Sequence, residues 1–189
     1  MEVDTYKVAG KITTVLYTSM VNDDIRSALF NHIVDHKDFR VWPASVTKHH
    51  CYEGGLLVHT AEVLVYSLRS SEGLRVDRDV LATAALFHDF AKIYDYARVD
   101  GVWRETPYRH LVRHVAGSHA HFVNTVGKSG LLTPDQVLNV EHCILSHHGQ
   151  TQWGSPVEPS TIEATLLHNA DMLSARYGRN RTEFTGSVL

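Results

Sequence analysis

The 189-residue sequence has only two cysteines, Cys51 and Cys143. Neither lies in a Cys-x-x-Cys pair, which excludes a disulfide framework and a cysteine zinc site and leaves both as expected buried thiols. Long apolar runs are also missing. With 43% hydrophobic and 21% charged residues, no stretch approaches the roughly 20 consecutive apolar residues that span a bilayer. The opening MEVDTYKVAG has neither the basic start nor the apolar core of a secretory signal, so a cytoplasmic protein with no membrane association is expected. Nor is there an excess of basic charge: 18 Lys and Arg against 21 Asp and Glu give a net charge of -3. That balance argues against long nucleic acid held through its phosphates, but leaves small anions open. Proline, glycine and serine form no linker, and no repeat divides the chain, so a single domain over 1–189 is expected, with N-terminal helices at 4–37 packed on the rest.

What the chain does have is histidine, 14 of them against 6 phenylalanines and 3 tryptophans. Apolar spacing is mainly helical and predicts helices near 4–19, 23–37, 54–70, 78–92, 108–125, 135–148 and 161–177. Thr133-Pro134 reads as an N-cap with proline in the first turn, and Ser160-Thr161-Ile162-Glu163 has the spacing of a capping box. The stretch near 93–107 breaks the pattern, and its Asp100-Gly101 pair signals a small β-hairpin. An all-α bundle with one hairpin insertion follows. The polar last dozen residues are expected to be loose.

The histidines and aspartates fall on inward helical faces. Leu81, Ala85, His88, Asp89 and Lys92 share a side, so an apolar stripe turns ionisable toward its C-terminal end. His147 and His148 continue the face of Val140, Cys143 and Ile144. His59 lies with Leu56, Val63 and Tyr66, and Asp171 with Leu167 and Ala170. Burying one such group unpaired costs several kcal/mol on the order-of-magnitude scale for lone polar groups. Burying several requires that they satisfy one another or a cation. Imidazoles with carboxylates suit Mn, Fe, Ni, Co or Zn, and two such ions can clamp a phosphoryl group without a serine or cysteine nucleophile.

His59 in GGLLVHTAEV, His88-Asp89 in ALFHDFAK, His114, His147-His148 in ILSHHG and Asp171 in LLHNADMLSAR resemble the ordered pattern H…HD…H…HH…D of the HD superfamily of metal-dependent phosphohydrolases. Within it, WPASVTKHHCYEGGLLVHT and ILSHHGQTQWGSPVEPSTIEATLLHNADMLSA are similar to the HD domain of YhaM-type 3′-5′ exoribonucleases, a likeness covering 38–176. The resemblance implies an HD helical bundle in which His59, His88, Asp89 and Asp171 hold one metal. Asp89 would bridge to a second held by His114 and His147 with His148. Asp89 and Lys92 would carry catalysis, Lys92 matching the lysine of H-D-x-x-K that faces phosphate. Two departures stand out. Ala91 replaces the usual glycine before that lysine, and the helical N-terminus does not look like the nucleic-acid-binding domain that precedes the HD domain in those exoribonucleases.

Further substrate contacts are expected from His49 and His50 near the Gly54-Gly55 turn, from Trp42 by stacking, and from Arg109 and Arg113, which flank His114. His119, His121, His142 and His168 are expected at the surface or behind ligands. The loop with Gly149, Gly154 and Pro156 forms part of the rim, where Gln150, Thr151 and Gln152 could touch substrate. The expected activity is metal-dependent hydrolysis of a nucleotide or short oligonucleotide at phosphorus, of nucleotidase or phosphodiesterase type. Two alternatives keep the same ligands: an HD-type di-iron oxygenase and a non-catalytic nucleotide-binding module.

Overall fold

In the computed structural model, which describes residues 3–20 and 22–179, the most apolar helices lie at the centre. α4 (Gly55–Ser70) and α5 (Arg78–Phe87) are buried at nearly every position, as expected for helices with apolar residues on all sides. Around them pack α1 (Thr5–Ser19), α9 (Pro134–Ser146) and α10 (Ile162–Arg179). Val8, Ala9, Ile12 and Leu16 of α1 join the same core as Leu56, Leu81, Val140 and Leu167. The short α2 (Asp23–Leu29), α3 (Lys37–Val41), α6 (Lys92–Asp95), α7 (Pro107–Leu111) and α8 (Arg113–Asn124) complete an all-α fold. Its one sheet among the described residues is the hairpin of β1 (Tyr96–Val99) and β2 (Val102–Glu105). Asp100 and Gly101 turn it, both with positive φ (52 and 78), the backbone that a two-residue hairpin turn requires. No helix among these residues is long and apolar enough to cross a membrane.

Several expected boundaries move. The helix predicted over 23–37 divides into α2, a π-helical turn at Phe30–Val34 and α3. The helix predicted over 78–92 stops at Phe87, and that over 108–125 breaks at Arg113, whose φ is 67. Thr133 caps α9 with Gln136 completing a reciprocal box. The capping box expected at Ser160 does not form: Thr161 Oγ1 caps Ala164 N, while Glu163 is drawn away to Asp77 N and Asn139 Nδ2. Cys143 is buried as expected, but Cys51 is exposed, because the irregular chain before α4 runs over the surface. α10 continues through Arg179, and the rest of the tail expected to be loose lies outside the described residues.

These breaks set the chemistry. α5 ends one residue before His88, α9 one residue before His147, and α8 starts one residue before His114. Together with the mid-helix His59 and Asp171, they bring histidines and aspartates to one region between the helices.

Candidate metal centre

His59 comes from the middle of α4, Asp171 from α10, and His88 and Asp89 from the turn after α5. One ligand atom from each lies within 4.8 Å of all the others, and all four residues are buried. His59 Nε2 is 3.2 Å from Asp89 Oδ2, 3.1 Å from Asp171 Oδ1 and 3.4 Å from His88 Nε2. His88 Nε2 lies 3.4 Å from Asp89 Oδ2 and 4.0 Å from Asp171 Oδ1. Around an ion with bonds of about 2.1 Å, neighbouring donors sit roughly 3.0 to 3.4 Å apart and opposite ones about 4.2 Å. The four atoms have the spacing of a coordination shell.

His114, His147 and His148 form a second donor set within the same limit. Asp89 joins the two sets. Its Oδ2 faces His59 and His88, while its Oδ1 is 3.4 Å from His114 Nε2 and 3.7 Å from His147 Nε2. Neither Asp89 oxygen nor His147 Nε2 has a well-aligned hydrogen-bond partner, although Lys92 Nζ forms an ion pair with Asp89 Oδ2 at 2.6 Å. Buried polar atoms are normally satisfied, so this convergence is what a cation-binding site requires.

The protons of four imidazoles are fixed by what lies behind them. His88 Nδ1 donates to Ala85 O at 2.8 Å and His147 Nδ1 to Ile144 O at 2.7 Å, carbonyls that can only accept. His114 Nδ1 donates to the Asp95 carboxylate at 2.8 Å. The Ser174 hydroxyl donates to Glu62 at 2.9 Å, so it accepts from His59 Nδ1 at 2.8 Å. Each ring is thereby turned so that Nε2 points inward with its lone pair available, the arrangement found behind metal-ligating histidines.

Electrostatics set the charge of each group before an ion binds. Burial opposes the Asp89 anion, but Lys92 and His88 outweigh it and hold the carboxyl well below the usual range. Asp171 is likewise lowered against burial, chiefly by His59. Burial pulls His59 down, yet its bonds and charge contacts with Asp171 and Asp89 raise it overall. Burial pushes His147 well below the ordinary imidazole value, with the charges of His148 and His88 adding to it. Burial, then His114, brings His148 to about 4. Asp89 keeps Lys92 a cation despite its burial. Ionised carboxylates beside neutral His147 and His148 are the forms that coordinate metal.

A cavity of about 650 Å³ opens onto both sets. Of the expected substrate contacts, Lys92, His49, Arg109 and Arg113 line it. His50 instead sits behind, with Nε2 3.3 Å from Glu62 and Nδ1 3.1 Å from His49 Nδ1. Trp42 does not line it either: its Nε1 donates to Tyr96 O at 2.8 Å and its ring packs on Trp103, tying the hairpin down. Arg109 is partly committed to Asp95 and Glu105. Ala91 is fully buried where α8 crosses closely, and its methyl is accommodated because residue 117 is glycine; a Cβ there would come within 2.7 Å of it.

Asp95, Ser174 and Glu62 are supporting residues that no motif marks. Ser174 follows Asp171 by three positions and Glu62 follows His59 by three, the spacing of one helical face, so periodicity held the signal. Asp95 ends α6, directly before β1, in the stretch where the helical pattern breaks. His168 supports the site from behind, donating from Nδ1 to His147 O at 2.8 Å. His119 and His142 engage Glu141 and Ser160 away from it.

A family model described as HD domain matches residues 56–176, more than half of the chain, and spans His59 through Asp171. A second model, TraI_2, whose description names a helicase, matches residues 13–85, under half. That stretch holds His59 alone of the candidate ligands and no Gly-x-x-x-x-Gly-Lys-Ser/Thr phosphate loop. No solved structure matches the chain.

Proposed function

The chain belongs to the HD domain family, and from that premise we propose that it hydrolyses a phosphoester or phosphoanhydride of a nucleotide or short oligonucleotide with two divalent transition-metal ions. One observation carries this reading: four anchored imidazoles converge through Nε2 on Asp89, whose two oxygens face separate donor sets. His59, His88, Asp89 and Asp171 would hold one ion, and His114, His147 and His148 with Asp89 the other. Mn, Fe, Ni, Co and Zn all suit such donors. Bound ions would supply positive charge to a phosphoryl group and acidify water.

The chain's own groups do the rest. Lys92 keeps an ammonium at the cavity wall beside Asp89, where it meets a phosphate oxygen and offsets the charge that grows on it. Asp95, Ser174 and Glu62 hold His114 and His59 in the orientation that presents Nε2. Lys48, Lys92, Arg109 and Arg113 make the cavity wall cationic on a chain of net charge -3, which focuses attraction on a small anion. The likeness of two long stretches to YhaM-type exoribonucleases supports a nucleotide-bearing substrate.

The test is metal analysis of the purified protein, followed by assays of phosphate or mononucleotide release from nucleotides, dinucleotides and short RNA and DNA, in air and under nitrogen. Release that needs metal and ignores oxygen is the expected result. Bound iron with oxygen uptake and no release would replace this reading with a di-iron oxygenase. Absence of both activities in metal-loaded protein would leave the non-catalytic binding module.

A further inference from the structure

The loop that leaves α9 carries a feature the metal chemistry does not use. It follows His147-His148 directly and makes a short 3-10 turn at Thr151–Trp153, between Gly149 (φ 86) and Gly154 (φ 102). Gly149 lies hard against His168, where a Cβ would come within 2.3 Å of the imidazole. His168 is bonded to His147 O, and its ring lies near-parallel to that of Trp153, centroids 6.5 Å apart at 25°. The indole is therefore placed from a ligand-bearing backbone. Even so, Trp153 is 50% exposed, in the wall of a cavity that is otherwise rich in cations.

Arg113 completes this wall. Its φ of 67 is a left-handed conformation that costs a side-chain-bearing residue about 1 kcal/mol or more. The strain falls at the residue before His114, and the guanidinium reaches the loop beside His148. A Cβ on Gly154 would sit 3.3 Å from Arg113 Nη1 and 3.6 Å from His148 Nδ1. Whereas Arg109 is paired with Asp95 and Glu105, Arg113 makes no ion pair among the described residues. A half-open indole and a planar cation with no ion pair among the described residues thus line the same cavity next to the second donor set, the cation reaching the residue that follows the indole.

We propose that Trp153 and Arg113 form a subsite that takes a nucleobase on the indole and its adjoining phosphate on the guanidinium, making a base-bearing phosphate the preferred substrate. The subsite deepens the function proposed above and rests on it for the phosphate. Indoles stack on any base face, and guanidinium matches phosphate in two-pronged geometry.

The test is calorimetric titration of metal-loaded protein, under nitrogen, with the phosphonate analogues of adenosine 5′-monophosphate and ribose 5-phosphate, which differ only in the base. Wild-type protein is expected to bind the base-bearing analogue about tenfold more tightly, the scale of one stacked base. Trp153→Ala should erase that preference and leave the ribose analogue unchanged, while Trp153→Phe keeps most of it. Arg113→Ala should weaken both analogues about equally. Equal affinities in wild type, or an undiminished preference in Trp153→Ala, would overturn the subsite. Metal-dependent phosphate release without a base preference would overturn the subsite alone. A preference that Trp153→Ala erases, in a protein that releases nothing from any phosphate, would support the subsite and overturn the hydrolase. Failure of both analogues to bind would overturn the subsite, and the release assays on nucleotides and short RNA and DNA would decide the hydrolase separately.

Discussion

The turn that follows α5 serves two groups of histidines with unlike surroundings. His88 and Asp89 join His59, His114 and His147, whose Nδ1 atoms are anchored and whose Nε2 atoms converge among carboxylates. One residue further on, Phe90 lies face to face with His121, centroids 3.9 Å apart at 8°, and edge-on to His36 at 5.2 Å. His121 Nε2 is buried without a partner, and burial, with the charges of His32 and His36, brings this imidazole down to about 4. Among these five rings the side chain is therefore a ligand candidate or a neutral core ring depending on what stands behind Nδ1 and whether carboxylates converge in front of Nε2. Aromatic neighbours give neither. His148 differs: with Nδ1 buried and unpartnered, it joins the second set through Nε2 alone, 3.3 Å from that of His114.

The comparison breaks most visibly at Asp89. Asp89→Ala removes the carboxylate shared by both sets, and turnover should fall at least about a hundredfold with loss of bound metal. Metal-replete variant protein that still turns over would contradict the bridging role. Asp95→Asn sharpens the anchoring argument, since it changes the group behind His114, which also pairs with Arg109, without altering any candidate ligand. Metal titration should show one site weakened about 10- to 100-fold and the His59 set unchanged; two unaltered sites would mean that the anchor contributes nothing. Lys92→Ala should cost about tenfold in kcat/KM with metal content intact, because the ammonium acts on substrate and not as a ligand. Loss of metal in that variant would place Lys92 in the ligand framework instead.

The smallest effect belongs to the aromatic side of the turn. His121 has a folded-state value of about 4 against 6.5 when unfolded, so the unfolded chain binds the extra proton between them. Stability from this residue is complete above the unfolded value and declines as pH falls toward the folded one. His121→Phe should leave metal and turnover unchanged and flatten that decline. Partial exposure limits the change to on the order of 1 kcal/mol, or roughly 2–4 °C in Tm. A thermal scan across this pH range that shows parallel curves for the two proteins would contradict it.

Much of this arrangement is visible in the spacing of residues. The all-α bundle, the Asp100-Gly101 hairpin and the Thr133 cap follow from local rules, and inward faces at three- and four-residue spacing point His59 and Asp171 at one another. Helix ends were less legible. No glycine or proline directly follows Phe87 or Ser146, the first after Ser146 being Gly149 past the histidine pair, so apolar periodicity runs on through His88 and His147, which in fact sit just beyond the helices. The two tryptophans show where local rules end. Trp42 and Trp153 are both aromatics in loop surroundings, and the difference is decided by a carbonyl 54 residues away from Trp42, which takes its indole out of the cavity wall. Likewise Glu163 leaves its expected cap because Asp77 N and Asn139 lie across the helix interface.

The central claim is that two ions are held by anchored imidazoles sharing Asp89. Metal stoichiometry of the purified wild-type protein and of Asp89→Ala, with K-edge X-ray absorption on the bound metal, addresses it most directly. Two ions per chain in nitrogen and oxygen shells with imidazole scattering, lost together in Asp89→Ala, is the predicted result. A wild-type chain that takes up no divalent transition metal, or one whose metal survives Asp89→Ala undiminished, would contradict it.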